Sequence, residues 1–497
     1  MLSFILGILL LLVGYWFYSR LIERIVGVDP QRATPATTMA DGVDYVPMKP
    51  WRIFLIQFLN IAGVGPICGA VMGAQFGTAS YLWIVFGTLF AGAVHDFISG
   101  YISLRHKGCS LPEIHGRYLG NGMKQFMRGF TVILMILVGA VFVNTPASLI
   151  QSNFVLPDAS PSLILVWISL IFLYYLAATM LPIDKIIGKI YPIFGILLLA
   201  MALALVVAFV VYQPDIPEVF DGLGNRHPNK AHTPLFPMMF ISIACGAISG
   251  FHATQSPLMA RCMVNEKQAR PIFYGTMVAE GVVALIWAAA ANYFFNTTDV
   301  VRGTNIPEAI SSALGKNDAG ASVVSSIASI WFPKALAVVT ILGVISAAIT
   351  SGDTALRSAR LIVADFTHVD QKPIGKRFLV AIPIFLSTAA IIIFANQNKE
   401  GFNLIWRYFA WANQVLATVT LWAISVYLAW KKKPYILALV PALFMTMVTG
   451  SFLFVADNGG LGLGVWGYAI GAAISIMALI FFFHRIKKHP ESLDDAE

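Results

Sequence analysis

The chain has 497 residues, 58% hydrophobic and only 12% charged, with a mean hydropathy of +0.76, where soluble domains carry roughly 25% charged residues. This excludes an ordinary soluble enzyme, and no polar stretch is long enough for a separate folded domain. The net charge of +8 does not indicate a nucleic-acid partner, because Lys and Arg fall in short clusters between apolar segments rather than on one basic face; the lipid bilayer is the partner instead.

A bilayer core of ~30 Å takes ~20 residues of helix, and thirteen stretches qualify. They lie near 3–19, 53–75, 81–104, 129–150, 162–181, 190–212, 235–256, 272–295, 335–351, 378–395, 404–430, 435–455 and 465–483. Strands of a membrane barrel are about half as long and alternate in polarity, so the predicted fold is all-α and polytopic. The first stretch ends in Tyr15-Trp16-Phe17-Tyr18, without a basic leader or a small-residue cleavage site, and reads as a retained span. Alternate connections hold 26 of the 33 Lys and Arg, and the others hold six. By the positive-inside rule the N-terminus is outside and the C-terminus inside. Cys68, Cys109, Cys245 and Cys262 show no paired spacing and are expected as free thiols.

Span two carries Asn60-Ile61-Ala62-Gly63-Val64-Gly65-Pro66 at its centre, and span seven carries Cys245-Gly246-Ala247-Ile248-Ser249-Gly250-Phe251-His252. Glycines and a proline interrupt the helical ladder, so both spans are expected to be broken at mid-depth, with Pro66 opening a second half-helix. The competing reading is close helix packing. The two spans lie five apart and run in opposite directions, the spacing of two inverted five-helix repeats. The expected organisation is a leading helix and linker (1–52), a first repeat (53–212), a second repeat (235–430), two trailing helices (435–483) and a cytoplasmic tail (484–497). Irregular backbone at membrane depth needs protein or a water-filled cavity around it. The breaks, with Asn60, Gly63, Gly65, Pro66, Gly246, Ser249, Gly250 and His252, are therefore the expected substrate site. A half-helix N-terminus there suits a carboxylate.

Asp96 in span three and Glu280 in span eight lie at similar depth. A charge at mid-bilayer costs ~2.5 to 3.5 kcal/mol, and burial favours the protonated acid, so both are candidates for proton coupling. A plain interhelical hydrogen bond is the other reading. His95 is expected to point to another face of the helix. Span nine ends in Ser346-Ala347-Ala348-Ile349-Thr350-Ser351-Gly352-Asp353-Thr354. Thr350, Ser351 and Asp353 offer hard oxygen ligands for sodium, with carbonyls near Ala62 and Gly65 completing the shell; alternatively Asp353 pairs with Arg357 one turn on. The outer connection 296–334 contains apolar stretches at 306–314 and 321–332, expected as two short surface helices forming a lid or a cap. In span eleven Trp411, Asn413 and Gln414 either line the cavity or tie helices together.

Walker A, HExxH and GxSxG sequences are absent, which leaves no visible route to ATP use or hydrolysis and no call for a cofactor beyond a bound sodium ion. Several stretches together resemble the carbon-starvation protein A family of bacterial inner-membrane transporters: Asp41-Gly42-Val43-Asp44-Tyr45-Val46-Pro47, the break from Ala62 to Pro66, Gly92-Ala93-Val94-His95-Asp96-Phe97, Ile243 to His252, Arg270-Pro271-Ile272 through Glu280-Gly281, and Thr350-Ser351-Gly352-Asp353-Thr354. The resemblance implies an inverted-repeat fold of the amino acid-polyamine-organocation type and uptake of peptides or of pyruvate, with proton coupling in the pyruvate members. The chain departs from it in that His95 stands where many relatives have Gln. The expected function is secondary active import of a small carboxylate-bearing solute, driven by a proton or sodium gradient, across the inner membrane. A nutrient sensor that binds the same solute is the alternative. Nothing in the sequence addresses the oligomeric state.

Overall fold

The computed structural model describes all residues except 43, 156–159, 161, 182, 372, 399, 458–459 and 489–497, and no side chains from 183 to 189. Val43 of the family motif and most of the expected tail therefore lie outside the described residues. Among the described residues, eighteen helices of eight residues or more organise the fold. Helix α1 is Leu2–Val26. Span two is split into α2 (Pro50–Ile61) and α3 (Gly65–Ala74), bent by 51° at the break. Then come α4 (Ala79–Arg105), α5 (Leu111–Leu119), α6 (Asn121–Phe154), α7 (Leu163–Met180) and α8 (Ile183–Tyr212). Span seven is also split, into α9 (Leu235–Ser242) and α10 (Gly250–Ala260). Helix α11 (Glu266–Asn296) follows, then α12 (Ile306–Leu314), α13 (Ala319–Trp331), α14 (Lys334–Thr367), α15 (Ile374–Gln397), α16 (Gly401–Trp430), α17 (Ile436–Val455) and α18 (Val465–Ile486). Eleven are long and apolar enough to cross a membrane, and the bent pair α2–α3 makes a twelfth; α9 and α10 are each too short alone.

Burial sorts the spans. Helices α4, α11 and α16 are mostly enclosed by protein, whereas α1 and α18 present most of their apolar surface outward, as lipid-facing helices do. Around the breaks, α10 packs on α4 and α16, and α3 packs on α11. Helices α4 and α11 each widen into a π-helical turn, at Thr88–Gly92 and Arg270–Gly275, shortly before Asp96 and Glu280. Such turns re-aim side chains and recur at functional sites. A Cβ on Gly92 would sit 2.2 Å from the Ala247 carbonyl oxygen, so only glycine lets α4 abut the second break.

The helix of span nine continues past Thr354: α14 runs unbroken to Thr367, and Arg357, buried, donates to the Ala178 and Leu181 carbonyls. One expectation needs correction. Of the two expected surface helices, α13 is buried along Val323, Val324, Ile327, Ala328 and Trp331, packed against α3, α6 and α14.

On the face that the charge asymmetry assigns to the cytoplasm, Arg105 pairs with Glu266 at 2.6 Å. The Glu266 carboxylate also accepts the Asp29 amide at 2.8 Å. The Tyr45 hydroxyl donates to Lys107 O and the Met48 amide to Cys262 O, so the linker after α1 lies across this face. The opposite face holds a cavity of about 440 Å³ whose floor is Cys68 of α3 and Ser242 of α9.

Candidate functional site

Both breaks are present, and they pack on each other. A Cβ on Gly65 would meet Cys245 Sγ at 2.5 Å, and one on Gly246 would lie 3.5 Å from Pro66. Seven residues, 243–249, separate α9 from α10, and several of their backbone groups find side-chain partners, as buried backbone outside a helix needs. Gly246 has φ +82, a left-handed conformation that glycine adopts without steric cost. Its amide donates to Glu280 Oε1 at 3.0 Å and its carbonyl accepts from Thr88 Oγ1 at 2.8 Å. Asn413 Oδ1 accepts from the Phe251 amide at 2.7 Å and its Nδ2 donates to Ala244 O at 2.7 Å and to Ser249 Oγ at 3.0 Å. Gln414 Nε2 donates to Phe240 O and Ile243 O. Of the two roles expected for Asn413 and Gln414, the contacts are those of ties that hold the unwound segment. Trp411 is a tie elsewhere, donating to Thr449 O on α17.

Asp96, His252 and Glu280 come together although they lie on three helices. Asp96 Oδ2 is 2.8 Å from His252 Nδ1, and His252 Nε2 is 3.2 Å from Glu280 Oε2 in a geometry that makes no hydrogen bond. All three are completely buried. The chain carboxylate–imidazole–carboxylate thus runs from α4 through α10 to α11 and ends on the Gly246 amide. A fourth member is His95, whose Nδ1 lies 2.7 Å from Asp96 Oδ1. The expectation that His95 faces elsewhere is wrong: adjacent side chains diverge by about 100° on a helix, yet a short carboxylate and a pivoting imidazole still reach each other. Cys245 Sγ, His252 and Glu280 also bring donor atoms within 4.8 Å of one another, a grouping the sequence did not suggest.

Thr350 and Ser351 meet the first break. Both hydroxyls donate to Leu59 O, at 2.8 and 3.3 Å, and a Cβ on Gly63 would sit 2.5 Å from Ser351 Oγ. Both hydroxyls thus lie at the unwound end of α2, where they share one backbone carbonyl. Asp353 turns away: Tyr191 and Tyr174 donate to it at 2.9 and 3.1 Å. The expected pair with Arg357 does not form, since that guanidinium serves carbonyls of α7 and the turn after it. Tyr191 also lies within hydrogen-bond distance of Asn60 Oδ1 and Thr350 O, tying α8 to the break. Neither tyrosine carries a local sequence signal beyond being polar in an apolar span.

Broken helices facing each other, stapled by side chains and lined with buried ionisable groups, mark a polytopic helical membrane protein built on a LeuT-type fold. The structure resembles a manganese transporter of Eremococcus coleocola, with a TM-score of 0.58, 13% identity, and coverage of 90% of this chain and 99% of that one. It resembles MhsT in complex with L-phenylalanine, with a TM-score of 0.55, 12% identity and coverage of 89% and 98%. At such identity the likeness concerns the fold. The profile of the carbon starvation protein CstA family matches residues 1–166, 162–340 and 319–451, and the chain belongs to that family. A membrane protein of Haemophilus influenzae is 42% identical over 61% of this chain and 93% of its own. A peptide transporter CstA of Helicobacter pylori is 27% identical over 88% and 79%, and the pyruvate/proton symporter BtsT of Escherichia coli 29% over 60% and 50%. The chain is accordingly a multi-pass inner-membrane protein, related to transporters rather than enzymes.

Proposed function

We propose that this chain is a secondary active importer of a small carboxylate-bearing solute, a short peptide or pyruvate, driven by the proton gradient. The observation that carries the reading is the buried chain Asp96–His252–Glu280 ending on the Gly246 amide. A proton passing along it changes the charge on Glu280, and a hydrogen bond to a charged acceptor is roughly twice as strong as a neutral one. Protonation therefore loosens the hold on Gly246, the left-handed hinge of the second break, and links proton occupancy to the geometry of the site. The names carried by the relatives support solute transport and, for one of them, proton coupling.

The five-plus-five organisation, residues 53–212 and 235–430, is part of this reading. It places the breaks on equivalent helices of two units that rock against each other. With the cytoplasmic face covered by the linker and the opposite face hollow, the structure corresponds to an outward-facing stage. A second cation reading rests on the Thr350 and Ser351 hydroxyls at Leu59 O: sodium bound there would join α14 to the first break.

Uptake into proteoliposomes tests the proposal, using pyruvate and dialanine under separately imposed proton and sodium gradients. Accumulation driven by an acidic exterior is the expected result. Binding of either solute with no gradient-driven flux would defeat it.

A further inference from the structure

The cavity of about 440 Å³ lies between the outer ends of α3, α9, α16 and α17 and the connections before α9 and α13. It contains none of the residues gathered at the breaks, yet its floor, Cys68 and Ser242, flanks both of them. Its volume falls within the roughly 300–1,000 Å³ of small-molecule sites. Two of its lining residues carry charges that the protein leaves largely uncompensated.

Arg407 stands on the outer part of α16, otherwise an apolar helix, six residues before Asn413 and therefore about 9 Å outward of the tie to the break. It is partly exposed to the cavity and has no hydrogen-bond or ion-pair partner among the described residues. Asp318 stands at the N-terminus of α13, 7% exposed. It accepts from the Ala321 amide at 3.0 Å and from Thr145 Oγ1 at 2.9 Å. A carboxylate has about four lone-pair positions, so acceptor capacity is left over, and no cationic side chain pairs with it among the described residues. Arg407 and Asp318 do not pair with each other. The cavity thus presents a guanidinium and a carboxylate that do not pair, with Trp406 and Phe402 among its apolar lining.

We propose that this cavity is an outer recognition site for a zwitterionic solute, its carboxylate received by Arg407 and its ammonium by Asp318, ahead of the broken-helix centre. Guanidinium matches a carboxylate in bidentate fashion. A buried carboxylate that lacks a counter-ion gains one when an ammonium arrives. The inference rests on the transport reading and sharpens it, because a solute with both charges fits the cavity better than a simple keto acid does.

The test is equilibrium binding of radiolabelled L-alanyl-L-alanine to the full-length protein in nanodiscs, with no gradient present. N-acetyl-dialanine, dialanine amide and pyruvate serve as competitors. In the native protein each competitor is expected to be at least tenfold weaker than dialanine. Arg407→Gln should weaken dialanine at least tenfold while leaving the amide unchanged, and Arg407→Lys should recover part of the loss. Asp318→Asn should weaken dialanine but not its N-acetyl form. A single symmetric size-exclusion peak shows that each variant is folded. Native-like discrimination in folded Arg407→Gln and Asp318→Asn overturns the proposal, as does competition by pyruvate equal to that of dialanine. Because no gradient is applied, failure of proton coupling leaves this measurement untouched. Conversely, loss of the terminal discrimination leaves pH-driven uptake as a separate question.

Discussion

Replacing Glu280 by Gln, or Asp96 by Asn, keeps the size of each side chain and one acceptor oxygen while removing the ability to hold and release a proton. One imidazole lies between the two carboxylates, at 2.8 and 3.2 Å. For one proton carried with each solute, one pH unit supplies about 1.36 kcal/mol, enough to sustain roughly tenfold accumulation. An inside-negative potential of 100 mV adds about 2.3 kcal/mol for each net charge moved. A zwitterion carried with one proton gains a further ~50-fold from that potential, whereas a monoanion carried with one proton gains nothing. The assay is uptake into proteoliposomes with the exterior one pH unit more acidic, with and without a potassium-valinomycin potential, alongside solute counterflow at equal pH. Both variants should lose the tenfold pH-driven accumulation, and counterflow should persist because exchange needs no net proton movement. If Asp96→Asn and Glu280→Gln both still concentrate solute tenfold, the chain is structural and the coupling argument fails.

Replacing Thr350 and Ser351 together by Ala should abolish any sodium stimulation of uptake; unchanged stimulation removes them from a cation site. Asn413→Ala strips the Phe251 amide and the Ala244 carbonyl of their partner, at about 1–3 kcal/mol each. A clear fall in the thermal midpoint of the purified protein is the check. Gly246→Ala forces a side chain into a left-handed backbone, at roughly 1–3 kcal/mol, and brings a Cβ to 2.5 Å from that of Ala284. Its yield of monodisperse protein should drop well below that of Gly303→Ala, a glycine of similar φ (+78) but with open space around it. Burial pushes the Asp318 carboxyl up from 3.8 to about 6, which costs the ionised form on the order of 3 kcal/mol. The folded state binds the extra proton between those values, so stability falls as pH rises from about 4 to 6 and stays reduced above. Asp318→Asn keeps a helix-capping side chain and should therefore raise the thermal midpoint at pH 7.5 but not at pH 4.5.

The two breaks were readable because their cause is local: Gly63, Gly65 and Pro66, or Gly246 and Gly250, disrupt a helix wherever it sits. Asp96 and Glu280 stood out for a similar reason, since a carboxylate inside an apolar run is costly in any fold. Their meeting was not readable. His252 joins them only because α10 packs on α4 and brings the imidazole within reach of Glu280 on α11, and the π-helical turns shortly before the two acids leave no pattern in composition. Asp353 shows the opposite failure. Spacing on one helix suggested Arg357 as its partner, but Tyr174 and Tyr191, from helices more than 160 residues away in sequence, reach it first. Arg407, near the start of a span, and Asp318, in a connection, did not stand out, because a shared cavity is a property of helix ends brought together and not of either segment.

Hydrophobicity, helix breakers and charge placement act over a turn or two of chain, so the sequence alone determined that the protein is embedded in lipid, where its helices run and where two of them give way. Which buried groups touch, which carbonyl a hydroxyl serves and which face is hollow depend on helices packed from distant stretches. A hydrogen bond forms or fails over a few tenths of an ångström, a scale that only the tertiary arrangement sets.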